Sequence, residues 1–201
     1  MDIVCLDLEG VLVPEIWINV AEATGVDELK ATTRDIPDYD SLMTQRLRLL
    51  GEHNLDMDAI QSVIGDMGPM EGAKSFLDEL RAKYQVVILS DSFYEFAQPL
   101  MRQLDWPTLF CHRLETDGNG VITGYRLRMA DHKREAVKSF KALNFRVTAA
   151  GDSYNDTNML SEADAGILFR APDNVISEFP QFQVVETYGD LLSAIAVPGN
   201  G

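Results

Sequence analysis

The chain has 201 residues, 46% of them hydrophobic, and a formal net charge of −15 at pH 7. This length accommodates one well-buried core with, at most, a small inserted module. The excess of acids argues against nucleic acid as a partner, because phosphate backbones are bound by a surplus of Lys and Arg, although a few local cations suffice to bind a small anion.

The N-terminal sequence and the two cysteines are typical of a protein in a reducing compartment. The chain enters an apolar, strand-like run almost at once, which leaves no room for a signal peptide, and no apolar run is long enough to cross a bilayer. Cys5 and Cys111 are far apart, lack CxxC spacing, and Cys5 lies in a predicted strand. Core thiols in a reducing compartment are favoured over a disulfide, so we expect a soluble cytoplasmic protein that does not contact membranes.

Short apolar runs alternate with helical patterns along the chain. The predicted strands are residues 3–8, 86–90, 147–150 and 166–169, with a weaker candidate at 183–186. The predicted helices are residues 71–84, 93–104, 132–143 and 155–163. This alternation predicts βαβ units in an α/β fold, with a parallel sheet that carries helices on both faces.

A long helical segment interrupts this alternation. Residues 16–70 show only helical patterns and are too long for an ordinary crossover. They predict a small helical cap domain, residues 15–70, inserted into a discontinuous core domain of residues 1–14 and 71–201.

A β-hairpin signal forms the second interruption. Residues 109–115 and 121–127 flank the turn sequence Asp117-Gly118-Asn119-Gly120. The hairpin either covers a site as a flap or forms one edge of the sheet, and the sequence favours neither alternative.

Two acidic loops follow predicted strands. Asp7 and Glu9 lie at the end of the first strand, and Asp152 and Asp156 come after the strand at 147–150. The carboxyl ends of parallel strands meet at one edge of a sheet, so both loops are expected to converge on one divalent cation and one phosphoryl group. Paired carboxylates near a metal allow one to attack while the other moves protons; the alternative is an acidic turn that caps the next element.

Four motifs in order along the chain resemble the haloacid dehalogenase (HAD) superfamily of aspartyl phosphotransferases. They are DLEGV at residues 7–11, Ser90 within VVILSDS, Lys133, and GDSYND at residues 151–156. Any one of them is weak, but the ordered set over nearly the whole chain is specific. The resemblance implies a HAD-like Rossmannoid sheet with a small inserted cap, a Mg²⁺ cofactor and an aspartyl-phosphate intermediate on Asp7.

The resemblance narrows to phosphoserine phosphatases, which share the helical cap, Glu15, Arg46 and Asn155. Glu9 replaces the usual Asp, and Asp91 replaces the glycine that usually follows the motif-two serine. Both departures occur in bifunctional phosphoserine phosphatase/phosphoserine:homoserine phosphotransferases of the ThrH type. The implied substrates are O-phosphoserine and homoserine, in amino-acid biosynthesis.

Arg46 supports this interpretation independently. It lies within the apolar stripe of a predicted helix over residues 39–50, whereas Arg48 points away. An unpaired Arg on a buried face is costly, so it should meet an anion. An ion pair inside the cap is one possibility; a planar substrate carboxylate suits the bidentate guanidinium better.

Lys133 is the second cation of interest. Asp131 is a good N-cap residue, which would place Lys133 and Arg134 in the first helical turn, where a cation opposes the helix dipole. We interpret Arg134 as a solvated side chain. The family position and the local penalty together favour a phosphate contact for Lys133.

The remaining site residues are assigned from the family resemblance and their positions. Phosphate would contact Ser90, the substrate would contact Glu15, Asp91 and Asn155, and Mg²⁺ would be held by Asp7, the Glu9 backbone carbonyl and Asp152. Simpler interpretations are a helix N-terminus for Glu15, a strand end for Ser90 and a helix cap for Asn155. Asp156 is expected to orient a metal-bound water or Lys133. The histidines, His53, His112 and His132, show no ligand spacing and receive no role.

The expected enzyme is a Mg²⁺-dependent phosphatase in which Asp7 attacks phosphoserine and Glu9 moves the proton. Water or homoserine then accepts the phosphoryl group, and the protein is a monomer or homodimer. An oxygen-only ligand set favours Mg²⁺ over Zn²⁺. The alternatives are a HAD phosphatase for another small phosphate ester, a metal-free haloacid dehalogenase, and a catalytically silent HAD-like binding module.

Overall fold

The computed structural model describes residues 1–32, 35–36 and 38–196. Residues 33, 34, 37 and 197–201, which fall within the predicted domains, lie outside the described residues. Within the described part, seven strands form one sheet: β1 (Asp2–Leu6), β2 (Gln85–Phe93), β3 (Thr108–Thr116), β4 (Ile122–Arg126), β5 (Arg146–Gly151), β6 (Ala165–Phe169) and β7 (Gln183–Val185). The strand order is β4-β3-β2-β1-β5-β6-β7, and every pair is parallel except the antiparallel pair β3–β4.

The central strand β1 is apolar from Ile3 to Leu6 because both of its faces are covered there. Val4 and Leu6 pack into one hydrophobic cluster, whereas Ile3 and Cys5 pack into a second cluster on the other face. Alternation of side chains between the two faces of a strand produces this division. The sheet therefore has a core on each side, as a parallel sheet requires.

Helices precede β2 in the segment where only helical patterns were found. They are α1 (Ile16–Thr24), a 3₁₀ turn (Asp27–Lys30), α2 (Tyr39–Glu52) and α3 (Met57–Met67), which together we call the helical insertion. Its apolar residues, such as Val20 and Ile60, belong to the same cluster as Val4 and Leu6. The division into a cap domain and a core domain stays a prediction.

The other helices cover both faces of the sheet. They are α4 (Ala73–Arg81), α5 (Tyr94–Gln103), α6 (His132–Ala142), α7 (Thr157–Glu162), α8 (Asp173–Glu178) and α9 (Tyr188–Ala196). Helices α4, α5 and α9 contribute to the cluster around Val4, and helices α6, α7 and α8 contribute to the cluster around Cys5. The predicted α/β fold with helices on both faces is confirmed.

Three local predictions need correction. Strand β2 continues beyond Ser90 to Phe93, with a register irregularity between Leu89 and Phe93. The predicted helix at 155–163 begins as a 3₁₀ turn, Tyr154–Asp156, before α7. Asp131 precedes α6 in a left-handed conformation (φ 47°) and its side chain makes no capping bond; it accepts a hydrogen bond from Asn158 Nδ2 at 3.3 Å instead.

The hairpin forms the edge of the sheet, since β4 is the outermost strand. It also contacts the helical insertion: the Tyr125 hydroxyl donates to the Asp40 carboxylate, and the Met57 amide donates to the Gly120 carbonyl at 2.9 Å. Cys5 and Cys111 are buried free thiols, as predicted, and burial raises the pKa of Cys5 to about 12. Among the described residues, none of the helices combines the length and the apolar character needed to cross a membrane.

Candidate active site

A buried lysine marks the centre of the site. Lys133, in the first turn of α6, has a side chain only 3% exposed. Its ammonium lies 2.8 Å from Asp156 Oδ1, 2.9 Å from Asp7 Oδ1 and 3.1 Å from Asp91 Oδ2. The predicted dipole penalty is thus offset by three carboxylates, which satisfy the three donors of an ammonium group.

The two acidic loops lie side by side, as predicted. The Asp7 amide donates to the Ala150 carbonyl at 2.9 Å, which continues the β1–β5 pairing one residue beyond the strand. Asp7 Oδ1 also accepts from the Leu8 amide at 2.8 Å. Asp156 Oδ2 accepts from the amides of Asp152 and Ser153 at 3.0 and 3.2 Å. Backbone donors therefore fix both carboxylates before any ligand binds.

Three aspartates of the two acidic loops have the oxygen donors that a cation site needs. One carboxylate oxygen from each of Asp7, Asp152 and Asp156 lies within 4.8 Å of the others. Ligand sets made only of oxygen suit hard cations such as Mg²⁺. From the sequence, Asp156 was expected to orient a metal-bound water or Lys133, and its hydrogen bond with Lys133 agrees with this expectation. Its carboxylate is also close enough to those of Asp7 and Asp152 to bind the same cation directly.

Two glycines allow the loops to approach this closely. A Cβ on Gly10, which has φ +74°, would lie 2.4 Å from Asp152 Oδ2. A Cβ on Gly151 would lie 2.3 Å from Asp156 Cγ. Real Cβ atoms do not come this close to other atoms, so only glycine fits at positions 10 and 151 without a shift of the neighbouring carboxylates.

The acidic cluster contains more carboxylates than cations, because Lys133 lies among several aspartates. Burial and then the neighbouring Asp156 raise the pKa of Asp7 well above its usual range, and the same two causes raise the pKa of Asp152 to about 7. Burial alone would lower the pKa of Lys133, but Asp156 and Asp7 raise it well above its usual value. The lysine therefore stays charged, and a divalent cation would favour ionisation of the acids.

Glu9 points away from the acidic cluster, towards the helical insertion. Its Oε2 accepts from the Ile16 amide at 2.8 Å, at the N-terminus of α1. Burial and the adjacent Glu15 raise the pKa of Glu9 to about 7. A carboxyl that titrates near neutrality can both donate and accept a proton, which suits general acid–base chemistry.

The other predicted site residues line one cavity of about 680 Å³. Ser90 is 1% exposed, and its hydroxyl accepts from the Ser92 amide at 3.1 Å. Glu15 is exposed at the start of α1 and makes no side-chain capping bond there. Asn155 Nδ2 donates to Asp91 Oδ2 at 2.7 Å, and its Oδ1 accepts from the Ser153 hydroxyl. Ser153 and Asp156, and not Asn155, occupy the N-cap positions of the 3₁₀ turn and of α7.

Arg46, on α2 of the helical insertion, lines the same cavity as Asp7 and Asp152. It is 8% exposed, and its guanidinium lies over the Trp17 ring with 4.4 Å between Cζ and the ring centroid. One nitrogen donates to the Ala31 carbonyl at 2.9 Å, while the buried Nε finds no hydrogen-bond partner among residues 1–32, 35–36 and 38–196. Within the described residues, no carboxylate forms an ion pair with it, which removes the alternative of an ion pair inside the described part of the insertion.

Sequence reasoning missed two residues of this site. His112 and His132, which received no role, are buried and line the cavity beside Asp91. Their sequence spacing gives no signal, because Asp91, His112 and His132 come from β2, β3 and α6. To find them, one would have had to predict that β2 and β3 are neighbours in the sheet and that α6 packs beside them. Arg134 is half exposed and pairs with Glu162 at 3.0 Å, as expected for a surface residue.

A parallel sheet with an acidic cluster at the carboxyl ends of β1 and β5, below a helical insertion, defines the class of HAD-like α/β enzymes. A model of the haloacid dehalogenase-like hydrolase family matches residues 1–164, and the chain belongs to this family. The chain is 67% identical over 191 residues to the phosphoserine phosphatase ThrH of Pseudomonas aeruginosa, covering 95% of this chain and 93% of that protein.

Two further proteins extend the comparison. A phosphoserine phosphatase of Pseudomonas syringae pv. tomato is 64% identical over 191 residues, covering 95% of this chain and 81% of that protein. The crystal structure of a phosphoserine phosphatase from T. onnurineus in complex with NDSB-201 superposes with a TM-score of 0.74, at 24% identity, covering 96% of this chain and 94% of that one. At this identity the likeness shows the fold alone.

Proposed function

We propose that this chain is a Mg²⁺-dependent phosphoserine phosphatase that also transfers the phosphoryl group from phosphoserine to homoserine. The proposal is supported by the high identity to two proteins named phosphoserine phosphatase. The observation that carries the substrate choice is the buried Arg46, which forms no ion pair with an acid among the described residues and lines the same cavity as Asp7. The cavity thus has a phosphoryl end and an amino-acid end.

At the phosphoryl end, we propose that Asp7 is the nucleophile and forms an aspartyl-phosphate. Lys133 and the Ser90 hydroxyl would contact the phosphoryl oxygens, and Lys133 already holds Asp7 in place at 2.9 Å. Asp7, Asp152 and the Glu9 carbonyl would hold Mg²⁺, with Asp156 as a further candidate ligand. When bound, Mg²⁺ neutralises charge on the phosphoryl oxygens.

At the amino-acid end, Arg46 would bind the substrate carboxylate and Glu15 the ammonium group. A planar guanidinium recognises a carboxylate through two parallel bonds, and a carboxylate suits an ammonium. Glu9 lines the same cavity, interacts with Glu15 and accepts a hydrogen bond from the Ile16 amide. It would protonate the departing serine oxygen and then deprotonate water or the homoserine hydroxyl.

The same pocket explains how an alcohol could compete with water. Transfer requires an acceptor that is bound and oriented, and effective molarities of about 10⁵ M or more are attainable for oriented groups, which exceeds the concentration of water. Homoserine would occupy the space that serine vacates, held by Glu15 and Arg46. We further propose that the enzyme acts in the cytoplasm, where its free thiols stay reduced, as a monomer or homodimer.

One assay tests this proposal. The protein is incubated with phosphoserine, with and without homoserine, and with Mg²⁺ or EDTA, while free phosphate and phosphohomoserine are measured by ³¹P NMR. We expect phosphate release that requires Mg²⁺, and phosphohomoserine only when homoserine is present. Hydrolysis of an aryl phosphate without hydrolysis of phosphoserine would indicate a phosphatase for another ester. No hydrolysis of either would indicate a silent binding module.

A further inference from the structure

Two buried histidines lie behind the Asp91 carboxylate. His132 Nε2 is 3.0 Å from Asp91 Oδ1, and His112 Nε2 is 3.8 Å from the same oxygen. Their side chains are 3% and 5% exposed. The two imidazole rings meet edge to face, with centroids 4.5 Å apart. We call these three residues the Asp91–histidine cluster.

Both imidazoles present an N–H group to Asp91. His112 Nδ1 accepts from the Arg128 amide at 3.1 Å, so its ring hydrogen is on Nε2, which faces the carboxylate. His132 Nδ1 is buried and has no hydrogen-bond partner in the part of the chain that the structure describes, while Nε2 faces a carboxylate oxygen, which in an ionised acid only accepts. Its hydrogen is therefore also on Nε2.

This protonation pattern argues against a second metal site. The cluster does meet the distance requirement for one, because its ligand atoms lie within 4.8 Å of one another. However, a ligating imidazole nitrogen needs a free lone pair, and both Nε2 atoms carry hydrogen. The Lys133 ammonium, 3.1 Å from the other oxygen of Asp91, would also repel a cation.

The second oxygen of Asp91 holds two groups of the proposed active site. Oδ2 accepts from Asn155 Nδ2 at 2.7 Å and contacts the Lys133 ammonium at 3.1 Å. These donors use both lone pairs of Oδ2. Both oxygens of the carboxylate therefore contact protein groups, while its side chain is 42% exposed and lines the cavity, so the substrate contact of Asp91 stays a prediction. The carboxylate joins β2, α6 and the turn after β5 at one point.

We propose that His112 and His132 are positioning residues for the phosphoryl-binding pocket: they orient Asp91, which fixes Lys133 and Asn155 relative to each other. Neither histidine touches the substrate. The identity of the substrate rests on the proposed function. The expected effect of the histidines on the binding of inorganic phosphate does not depend on that identity. A chain with glycine at position 91 would lack this carboxylate, and with it the need for the two histidines.

The test compares two substitutions of His132. His132→Gln keeps an N–H donor near the place of Nε2, whereas His132→Leu has similar bulk and no donor. His53→Gln is the control, because His53 is exposed at the end of α2, away from the cavity. For each variant, the affinity for inorganic phosphate in Mg²⁺ is measured by calorimetry, and kcat and KM are measured with phosphoserine and with an aryl phosphate.

We expect His132→Leu to weaken phosphate affinity, and kcat/KM for both substrates, by about tenfold or more, as loss of a hydrogen bond to a charged group implies. His132→Gln should recover most of the loss, and His53→Gln should match the wild type. In the wild type, ¹⁵N NMR of the imidazole nitrogens should show hydrogen on Nε2 in both neutral rings.

Three results would overturn the inference. They are a folded His132→Leu variant with wild-type phosphate affinity, a loss that follows a lower Tm and is not recovered by Gln, and stoichiometric Zn²⁺ binding that His132→Leu abolishes. Failure of the proposed function looks different. A wild type that binds phosphate in a His132-dependent way but does not hydrolyse phosphoserine would refute that function and support the inference.

Discussion

Asp152 shows how a single residue of this site is balanced between two charge states. Its pKa rises from 3.8 to about 7 on folding, because burial and Asp156 disfavour its ionised form. A carboxyl with a raised folded-state pKa binds its proton more tightly in the folded protein. Its ionisation therefore destabilises the fold as pH rises through this window, unless a cation compensates for the charge.

This gives a pH-dependent prediction for Asp152→Asn. In EDTA, the variant should become progressively more stable than the wild type as pH rises from about 4 to about 7. Saturating Mg²⁺ should reduce or reverse the difference, because only the wild type gains the full binding energy. Urea unfolding at several pH values measures both effects. A difference independent of pH would show that Asp152 is not electrostatically strained.

Arg46 gives a prediction about recognition. Arg46→Lys keeps the charge but loses the planar fork, so KM for phosphoserine should rise about tenfold or more, as expected for a lost bidentate contact. KM for an aryl phosphate, which has no amino-acid end, should change little. Arg48→Lys is the matched control, because Arg48 lies on the same helix, is 58% exposed and pairs with Glu52. Equal effects of Arg46→Lys on both substrates would assign Arg46 to the structure of the insertion.

Glu9 gives a prediction about acceptor choice. Glu9→Asp withdraws the carboxylate by about 1.5 Å, the length of one C–C bond, and displacements near 1 Å can cost up to about a hundredfold in rate. The shorter side chain also loses its reach to the Ile16 amide. We expect a lower ratio of phosphohomoserine to free phosphate, with some phosphatase activity retained. An unchanged ratio, measured by ³¹P NMR, would place acceptor choice in the insertion.

Between residues and the whole fold, the ends of the strands determine where chemistry occurs. The sequence located β1, β5, β6 and β7 to within about two residues. For β1, β5 and β6 the reason is that strands covered on both faces produce apolar runs that end in polar loops. Strand β7 lies at the sheet edge with Gln183 and Val184 exposed, and it gave only a weak signal. Where a buried strand contains polar residues, this signal fails. For that reason the extension of β2 beyond Ser90, through Asp91 and Ser92 to Phe93, was not predicted.

At the level of elements, Gly10 gives the sharpest prediction. Gly10→Ala would place a Cβ 2.4 Å from Asp152 Oδ2 in a left-handed turn. We expect Mg²⁺ affinity to fall about tenfold or more, since displaced ligand geometry typically costs this much. Gly25→Ala is the matched control, because Gly25 also has a positive φ, +73°, and a Cβ added there would meet no other described residue within 4 Å. Both variants should lose about 1–2 kcal/mol from the left-handed conformation.

The control separates backbone strain from displacement of the acid. Calorimetric titration with Mg²⁺ should give wild-type affinity for Gly25→Ala and weakened affinity for Gly10→Ala. If the two variants bind Mg²⁺ equally well, the close approach of Gly10 to Asp152 has no role in cation binding.

For the whole molecule, the formal charge of −15 contrasts with the chemistry of its cavity. Net charge predicts that nucleic acid is not a partner, but it carries no information about Lys133 and Arg46, which are buried. The position of Lys133 was predictable from motif order. The Asp91–histidine cluster was not, because it depends on how β2, β3 and α6 meet in space. The contact between the hairpin and the insertion, through Tyr125 and Asp40, is also a product of tertiary packing.

The central claim is that phosphoserine transfers its phosphoryl group to Asp7. Rapid acid quench during turnover of phosphoserine, followed by peptide mass spectrometry, tests it most directly. We predict one added phosphoryl group on the peptide that contains Asp7. The Asp7→Asn variant should lack it and should lose at least about a thousandfold in kcat, a typical loss for a covalent nucleophile. Near-normal turnover by folded Asp7→Asn, or turnover with no phosphorylated peptide while another residue is labelled, would contradict the account.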